Sequence, residues 1–270
     1  FSRFWELDAV TDCGPFIIRG YRPISLSWVY GDRVNTAPQS DNDTRDVPNA
    51  QPYMQSEMRI QLSVRTKLAT GLIFWEPDGK RDSLWFGYTQ QSYWQLFNSE
   101  ISRPFRTTDH EPEIIYIAPT SADLPWGWQW RYTGLSLNHQ SNGQTLPLSR
   151  SWNRVILLTG AEKDDRYTLG LRLWQRISDA DGNGDGSNSP ADLTAQDDNP
   201  GIEDTYGRAE LTAGWLFGRD QRLNLMLRHN LRPNSERNGL TAWRMEWLRP
   251  LDSESPCLRL HVQIFSGYGD

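Results

Sequence analysis

The chain has 270 residues, 37% of them hydrophobic, and a formal net charge of −6. This acidic balance, without a basic stripe, argues against a nucleic-acid partner, and no apolar run approaches the about eighteen residues of a membrane helix, which excludes a helical membrane protein. The thirteen Trp and ten Tyr are more than a soluble domain of this size usually carries. Aromatic girdles at two membrane interfaces would explain them; an aromatic core or a sugar-binding surface is the alternative.

Apolar and polar residues alternate in segment after segment, which predicts antiparallel strands with one apolar face. In the clearest segment, the even positions of 58–64 are Met, Ile, Leu and Val, and the odd positions of 59–65 are Arg, Gln, Ser and Arg. In chain order the eleven predicted strands are 24–30, 58–65, 83–96, 113–118, 126–141, 151–159, 166–177, 205–217, 222–230, 239–249 and 257–266. The fold class is therefore all-β.

The connections between these strands differ in length in a regular way. Short turns at 161–165, 218–221 and 251–255 alternate with long polar segments at 31–55, 98–112, 142–150 and 178–204. Tight turns at one end and long loops at the other are typical of an antiparallel transmembrane β-barrel. We therefore predict one outer-membrane barrel domain over 1–270, in which 1–20 is an N-terminal periplasmic segment and the long loops lie outside the cell.

The number of predicted strands is odd. An odd count leaves two open edges, and unpaired backbone groups at such edges cannot face hydrocarbon. We therefore expect that one closing strand is missing and that the sequence is incomplete at its C-terminus.

The segments 137–143 and 149–154 carry the residues best suited to chemistry. His139 and Ser141 are two positions apart on a predicted strand and so project from the same face as Leu135 and Leu137. On the next strand, Asn153 shares a face with two apolar residues. The pattern thus predicts a polar trio at the top of an apolar, lipid-facing surface.

A hydroxyl needs a neighbouring base to become a nucleophile, and the base needs a third group to fix its orientation. Ser141, His139 and Asn153 are of the right types, because an amide oxygen can accept the imidazole N–H. Gly143 would let a loop N–H approach a developing oxyanion. A His-x-Ser pair alone is weak evidence, since the chain has four histidines.

The wider context strengthens this interpretation. The string His-x-Ser-Asn-Gly at 139–143, followed by Ser-Arg-Ser-Trp-Asn-Arg at 149–154, resembles the active-site segment of the outer membrane phospholipase A family. Further strings that resemble the family in the right order lie at 88–90, 94–96, 98–100, 104–106, 111–112, 197–200 and 266–269. The resemblance implies a barrel of twelve strands, about eleven of them present here. It also implies phospholipase A1, phospholipase A2 and lysophospholipase activity, dependence on Ca²⁺ and activity as a homodimer.

The family pattern also implies roles for individual residues. Ser141 matches the nucleophile, His139 the base and Asn153 its orienting partner. The resemblance also implies a location in the outer membrane of a Gram-negative bacterium, with the site facing the cell surface. Calcium would be held by oxygen atoms matching the Gln144 carbonyl, the Ser149 hydroxyl and, from the partner subunit, the Ser102 carbonyl, with water completing the shell. Gln90 matches a polar position of the dimer interface. Gln144 stands where the family has a basic residue and Leu146 where it has an acidic one, and the second change could weaken calcium binding.

Several features remain open at this point. Acidic residues between Asp181 and Asp192 match the spacing of a calcium loop, although a solvated acidic loop is the simpler interpretation. Cys13 and Cys257 could pair in the periplasm or be two independent thiols. The aromatic residues Trp126, Trp128, Trp130 and Tyr132 favour an interfacial girdle over a sugar platform.

Other interpretations of the whole chain also remain. Arg59, Arg65 and Arg172 alternate with apolar residues and are expected to fill the barrel interior. A non-catalytic barrel, acting as a porin or an adhesin, is the alternative to a lipase. A soluble calcium-dependent sugar-binding sandwich is a more remote one.

Overall fold

The computed structural model describes residues 1–38, 46, 49–75, 80–103, 105–145, 148–177, 197, 199–232, 239–252 and 258–269. Its strands are β1 (Ile18–Gly20), β2 (Ser25–Tyr30), β3 (Ser56–Trp75), β4 (Arg81–Trp94), β5 (Thr107–Leu124), β6 (Trp128–Ser141), β7 (Ser151–Lys163), β8 (Tyr167–Ile177), β9 (Ala209–Phe217), β10 (Gln221–His229), β11 (Leu240–Pro250) and β12 (Arg259–Gly267). Two short helices, α1 (Ser2–Trp5) and α2 (Ile202–Tyr206), and 3-10 turns at Ala9–Thr11 and Pro125–Gly127 complete the fold. None of the helices in these ranges has the length and hydropathy that crossing a membrane requires.

All strands belong to one antiparallel sheet in which β3 to β12 pair in sequence order. Both β1 and β2 pair with β3, β1 with its residues 64–66 and β2 with its residues 56–61. The two are therefore halves of one interrupted edge strand, and eleven strands lie side by side. The eleven predicted strands and the all-β class are confirmed.

The sheet curves around an interior. Arg59 of β3 donates a hydrogen bond to Gln263 of β12 at 2.8 Å, which joins the second strand of the sheet to the last. An interior cavity of about 170 Å³ is lined by residues from every strand from β3 to β12. Contacts between such distant strands require the curvature of a barrel, which the alternating short and long connections predicted.

Charged side chains fill this interior in compensating pairs. Arg22 lies 2.7 Å from Glu111 and 3.4 Å from Glu113, and Arg172 lies 3.2 Å from Glu113. Such pairing is needed because an isolated charge in a buried place costs several kcal/mol of free energy. The inward placement predicted for Arg59, Arg65 and Arg172 is confirmed.

The first seven residues lie inside the sheet. Trp5 and Leu7 are buried in a core cluster whose other members are Trp85, Ile115, Ile117, Tyr132 and Leu158. The Ser2 hydroxyl donates to Glu162 at 2.9 Å, and Glu162 precedes the tight turn between β7 and β8. The segment therefore occupies the short-turn end of the interior. The assignment of 1–20 to the periplasm stays a prediction.

Several predicted boundaries were wrong: β3 extends to Trp75 and β5 to Leu124, beyond the predicted ends at 65 and 118. Two others changed the assignment of a segment. The segment 98–112 was expected to be a loop throughout, but β5 already begins at Thr107. Its first residues are polar on both faces, so they show no apolar alternation. The strand predicted over 205–217 begins only at Ala209, because residues 202–206 form α2.

The expectation for Tyr132 was also wrong. It was grouped with Trp126, Trp128 and Trp130 as an interfacial aromatic, yet it is buried against Phe1 with ring centroids 5.1 Å apart. The pairing of β6 shifts register between Trp130 and Tyr132. Such a bulge inverts which residues face inward, and a regular alternation cannot reveal it.

Candidate active site

The outer face of β6 and β7 brings together two of the predicted site residues. In the register of these strands, His139 lies directly opposite Asn153. The imidazole Nδ1 and the Asn153 Oδ1 are 2.8 Å apart. Because the amide oxygen can only accept, Nδ1 carries the proton and Nε2 is left with a lone pair.

Ser141 lies two residues beyond His139 on the same strand and the same face, with the two Cα atoms roughly 6.6 Å apart at the usual rise of a strand. Below them on this face, Leu135 and Leu137 are 53% and 57% exposed. The predicted position of the trio, on an apolar outer surface next to the loop that follows β6, therefore agrees with the structure. The chemical role of each residue stays a prediction.

A line of polar residues crosses the outer face at the level of Ser141. Gln90 of β4 is paired with His110 of β5, His110 with Ser141, and Ser141 with Ser151 of β7. We call these four residues the polar row. Directly opposed residues have Cβ atoms about 5 Å apart, so each member is a neighbour of the next.

The loop between β6 and β7 is closed by one side chain. Asn142 accepts hydrogen bonds from the Arg150 N–H at 2.9 Å and the Gln144 N–H at 3.3 Å, and its amide donates to the Leu148 carbonyl at 2.8 Å. Next to it, Gly143 has a φ of +60°, a conformation that glycine adopts without strain. The glycine predicted as the oxyanion donor is therefore at a turn that requires it.

Two of the predicted calcium ligands lie in this loop. Gln144 also donates from its side chain to the Arg106 carbonyl at 3.2 Å, which ties the loop to the residues before β5. Within the described part of the chain, no hydrogen-bond donor contacts the Gln144 carbonyl oxygen. Ser149 lies at the other end of the loop. The described residues include no group of three or more His, Cys, Asp and Glu side chains suited to a metal, so an oxygen site here would use carbonyl and hydroxyl groups.

The third predicted ligand, Ser102, lies apart from the other two along the chain. Its carbonyl accepts a hydrogen bond from the Trp94 indole at 2.8 Å, which holds that segment against the end of β4. Leu146, the acidic residues between Asp181 and Asp192, and Cys257 lie outside the described residues, so the predictions on them are not tested.

Arg106 anchors the base of this region. It lies 2.7 Å from Glu57, and its cation also packs over the ring of Tyr93. Burial by itself would lower the pKa of the guanidinium, but the hydrogen bond and charge of Glu57 raise that pKa above its ordinary value. The ion pair with Glu57 therefore helps to hold Arg106, whose carbonyl is the partner of the Gln144 side chain.

Three residues that the sequence analysis did not single out belong to this surface: His110, Tyr88 and Asn142. The Tyr88 hydroxyl lies 2.7 Å from His110 Nδ1. His110 was hidden because it was placed in a loop; recognising that β5 starts at Thr107 would have put it beside Ser141. Asn142 stood in the quoted motif, but its role depends on a loop conformation that the sequence does not show.

Comparisons with known proteins agree with this architecture. The family model described as Phospholipase A1 matches residues 1–270. A protein of Neisseria meningitidis serogroup B, provisionally named phospholipase A1, is 33% identical over 275 residues, which cover all of this chain and 64% of that protein. Phospholipase A1 of Escherichia coli K12 is 30% identical over 221 residues, covering 82% of this chain and 65% of that protein. The chain thus spans slightly less than two thirds of the length of these two curated relatives.

Two solved structures are similar in fold. Outer membrane phospholipase A from Escherichia coli has a TM-score of 0.74 and 27% identity, and the match covers 94% of this chain and 91% of that one. The Salmonella typhi outer membrane phospholipase dimer with bound calcium has a TM-score of 0.73 and 27% identity, covering 95% of this chain and 86% of that one. Because the family model extends from the first residue of the chain to the last, this chain belongs to the phospholipase A1 family.

Proposed function

We propose that this protein is a calcium-dependent phospholipase of the outer membrane of a Gram-negative bacterium, with its active site facing the cell surface. It would hydrolyse the acyl esters of phospholipids (phospholipase A1 and A2 activity) and of lysophospholipids. The observation that carries the proposal is the His139–Asn153 hydrogen bond of 2.8 Å on the same outer face as Ser141. No such pairing is needed to stabilise a barrel exterior.

The chemistry follows from the protonation of His139. Its Nε2 takes the proton of the Ser141 hydroxyl as Oγ attacks the ester carbonyl carbon. Asn153 holds the imidazole through Nδ1, and the Gly143 N–H stabilises the negative charge that develops on the carbonyl oxygen. His139 then returns the proton to the leaving alkoxide, and water releases the acyl group by the reverse sequence.

The apolar surroundings suit a substrate that is itself part of a bilayer. Exposed leucines below the trio would contact acyl chains, while the polar loop above would contact headgroups. A lipid lying against β6 would then present its ester at the height of Ser141 without leaving the membrane. This geometry favours a lipid ester over a soluble one.

Calcium suits the donor set of the loop between β6 and β7. Ca²⁺ prefers oxygen ligands, including backbone carbonyls and hydroxyls, and the Gln144 carbonyl is open among the described residues. Gln144 and Ser149 would hold the ion, together with Ser102 of the partner subunit. Bound there, calcium would supply positive charge that favours the oxyanion. Asn142 contributes by holding both ends of the loop.

We further propose that the active form is a homodimer. Gln90 lies on the outer face, and within the described part of the chain its side chain bonds to the Tyr88 hydroxyl at 3.2 Å and to Ser92 at 3.3 Å. A polar amide at lipid level gains when a second polar surface covers it. The Salmonella typhi relative, described as a dimer with bound calcium, supports this assembly.

The test is ester hydrolysis in detergent micelles with added calcium, measured on phospholipid and lysophospholipid by release of fatty acid. Wild type should be active, EDTA should abolish the activity, and Ser141→Ala should reduce it to background. Ser266→Ala is the matched control, because Ser266 is exposed on the last strand, away from the site. Equal rates for wild type and Ser141→Ala would refute the proposal and leave the non-catalytic barrel.

A further inference from the structure

A second histidine stands beside the proposed nucleophile. His110 of β5 is the direct strand partner of Ser141, whereas His139 precedes Ser141 on the same strand. Ser141 therefore has one imidazole along its strand and another across from it. The proposed triad uses only the first.

The environment of His110 fixes the direction of its ring. The Tyr88 hydroxyl lies 2.7 Å from Nδ1, and the two rings stack with centroids 6.2 Å apart at 27°. Nδ1 therefore faces β4. The opposite edge of the ring, with Nε2 and Cδ2, faces the loop after Ser141.

That edge lies against Gly143. A Cβ atom placed on Gly143 would be 3.7 Å from both Nε2 and Cδ2 of His110, which is an ordinary van der Waals distance. The imidazole edge thus lines the space between Ser141 and the glycine whose N–H is the proposed oxyanion donor. A side chain on residue 143 would fill that space.

The hydroxyl proton of Tyr88 decides between two tautomers of His110, because two acceptors are within reach: His110 Nδ1 at 2.7 Å and Gln90 Oε1 at 3.2 Å. If the proton goes to Gln90 Oε1, His110 carries its own proton on Nδ1. The distance to Nδ1 is the shorter one, which favours a hydroxyl that donates to the imidazole. The Gln90 amide then turns its NH₂ group to the Tyr88 oxygen and its oxygen to the Ser92 hydroxyl, and the His110 proton lies on Nε2.

In this arrangement the two histidines hold opposite tautomers. His139 donates through Nδ1 to an amide oxygen, which makes its Nε2 a base. His110 accepts at Nδ1 from a hydroxyl, which makes its Nε2 a donor. Because their Nδ1 atoms have opposite hydrogen-bond partners, the His139 Nε2 can accept a proton and the His110 Nε2 can donate a hydrogen bond.

We propose that His110 is a further catalytic residue, whose Nε2–H donates a hydrogen bond to the ester carbonyl oxygen beside the Gly143 N–H. The proposal rests on the function proposed above. When Ser141 Oγ bonds to the carbonyl carbon, the π electrons move to the oxygen and the Ser141 proton goes to His139. His110 keeps its proton and stabilises the oxyanion until the ester C–O bond breaks and His139 protonates the leaving alkoxide.

The experiment compares His110→Leu, His110→Gln and Tyr88→Phe in the full chain in micelles with calcium. One lost oxyanion donor lowers kcat by about 10²-fold, so His110→Leu should show that loss with KM nearly unchanged. His110→Gln keeps an N–H and should recover part of kcat. Tyr88→Phe should show a smaller loss, and His229→Gln, a histidine of β10, is the control expected to match wild type.

A second readout avoids lipid turnover. An alkyl fluorophosphonate should label Ser141 in the wild type, as located by mass spectrometry, and should label His110→Leu far more slowly, because charge also develops on the phosphoryl oxygen. Equal labelling rates in the two proteins, or equal kcat losses in His110→Leu and His110→Gln with a lowered Tm, would overturn the role of His110. If wild-type Ser141 is neither labelled nor active on lipid, the proposed function itself fails.

Discussion

His139 Nδ1 lies 2.8 Å from Asn153 Oδ1, and this hydrogen bond joins neighbouring strands on the outside of the barrel. Replacing Asn153 with Ala removes the acceptor, so the imidazole is no longer held in one tautomer and orientation. We expect kcat for ester hydrolysis to fall by roughly 10-fold, the lower end of the effect of an orienting partner.

Asn153→Asp is the matched control, because it keeps an oxygen at the same position. It should retain more of kcat than Asn153→Ala when both are assayed in micelles. A wild-type rate in Asn153→Ala would show that the bond does not serve the reaction.

Asn142 should control the response to calcium. Its side chain bonds to the Leu148 carbonyl at 2.8 Å, the Arg150 N–H at 2.9 Å and the Gln144 N–H at 3.3 Å, and Asn142→Ala removes all three bonds. The loop carrying Gln144 and Ser149 then loses its closure. We expect the calcium concentration for half-maximal activity to rise by roughly 10-fold, as for other groups that support metal ligands.

The measurement is a calcium titration of activity at saturating lipid. Asn142→Asp keeps the acceptor oxygen but loses the donor, and its calcium midpoint should lie between those of wild type and Asn142→Ala. An unchanged midpoint in Asn142→Ala would show that closure of the loop by Asn142 does not affect calcium binding.

Gly160 should be essential for packing of the N-terminal segment. A Cβ atom there would lie 2.8 Å from Phe1 Cε2 and closer still to Tyr132 Cε1, so two packed rings would have to move. Gly160→Ala should lower the free energy of unfolding by about 1–3 kcal/mol, the usual cost of overpacking.

This is measured as the urea midpoint in micelles. Gly20→Ala is the control, because nothing lies within 4 Å of a Cβ at that position, and it should change the midpoint little. Equal midpoints for the two variants would contradict the packing described for Phe1.

Asp12 should make the stability depend on acid pH. Burial would raise the pKa of its carboxyl, but the Lys67 ammonium and the Gly14 N–H hold the pKa below its ordinary value of 3.8. A depressed folded-state pKa means that the contribution is complete above pH 3.8 and is lost as pH falls through the lower folded value.

The Tm of wild type should therefore exceed that of Asp12→Asn near neutral pH, and the difference should shrink as pH falls below 3.8. The check is a series of thermal scans of both proteins across this range. A difference that stays constant with pH would mean that Asp12 acts by packing alone.

Much of the fold followed from alternation, because each strand of a barrel has one apolar and one polar face. The same rule explains the failures. β5 begins with the polar run Thr107, Thr108, Asp109 and His110, where both faces carry polar groups. At Tyr132 a bulge reversed the faces, and a bulge has no signature in a simple alternation.

The candidate site was predictable in part for a different reason. His139 and Ser141 share a strand, so their common face follows from spacing alone, but the contact with Asn153 also needed the register of two strands. His110 lies thirty-one positions before Ser141, and only the pairing of β5 with β6 brings them together. Spacing within one strand does not show which residue of another strand lies opposite.

The polar row also limits how deeply this side of the barrel can sit in a bilayer. Covering Gln90, His110, Ser141 and Ser151 with hydrocarbon would strip water from four hydrogen-bonding groups, which costs several kcal/mol. The hydrocarbon core of the bilayer must therefore end just below the polar row, where the glycerol backbone of a lipid begins. A thicker bilayer would surround the polar row with hydrocarbon and, under the proposed function, would slow the hydrolysis of its own lipids.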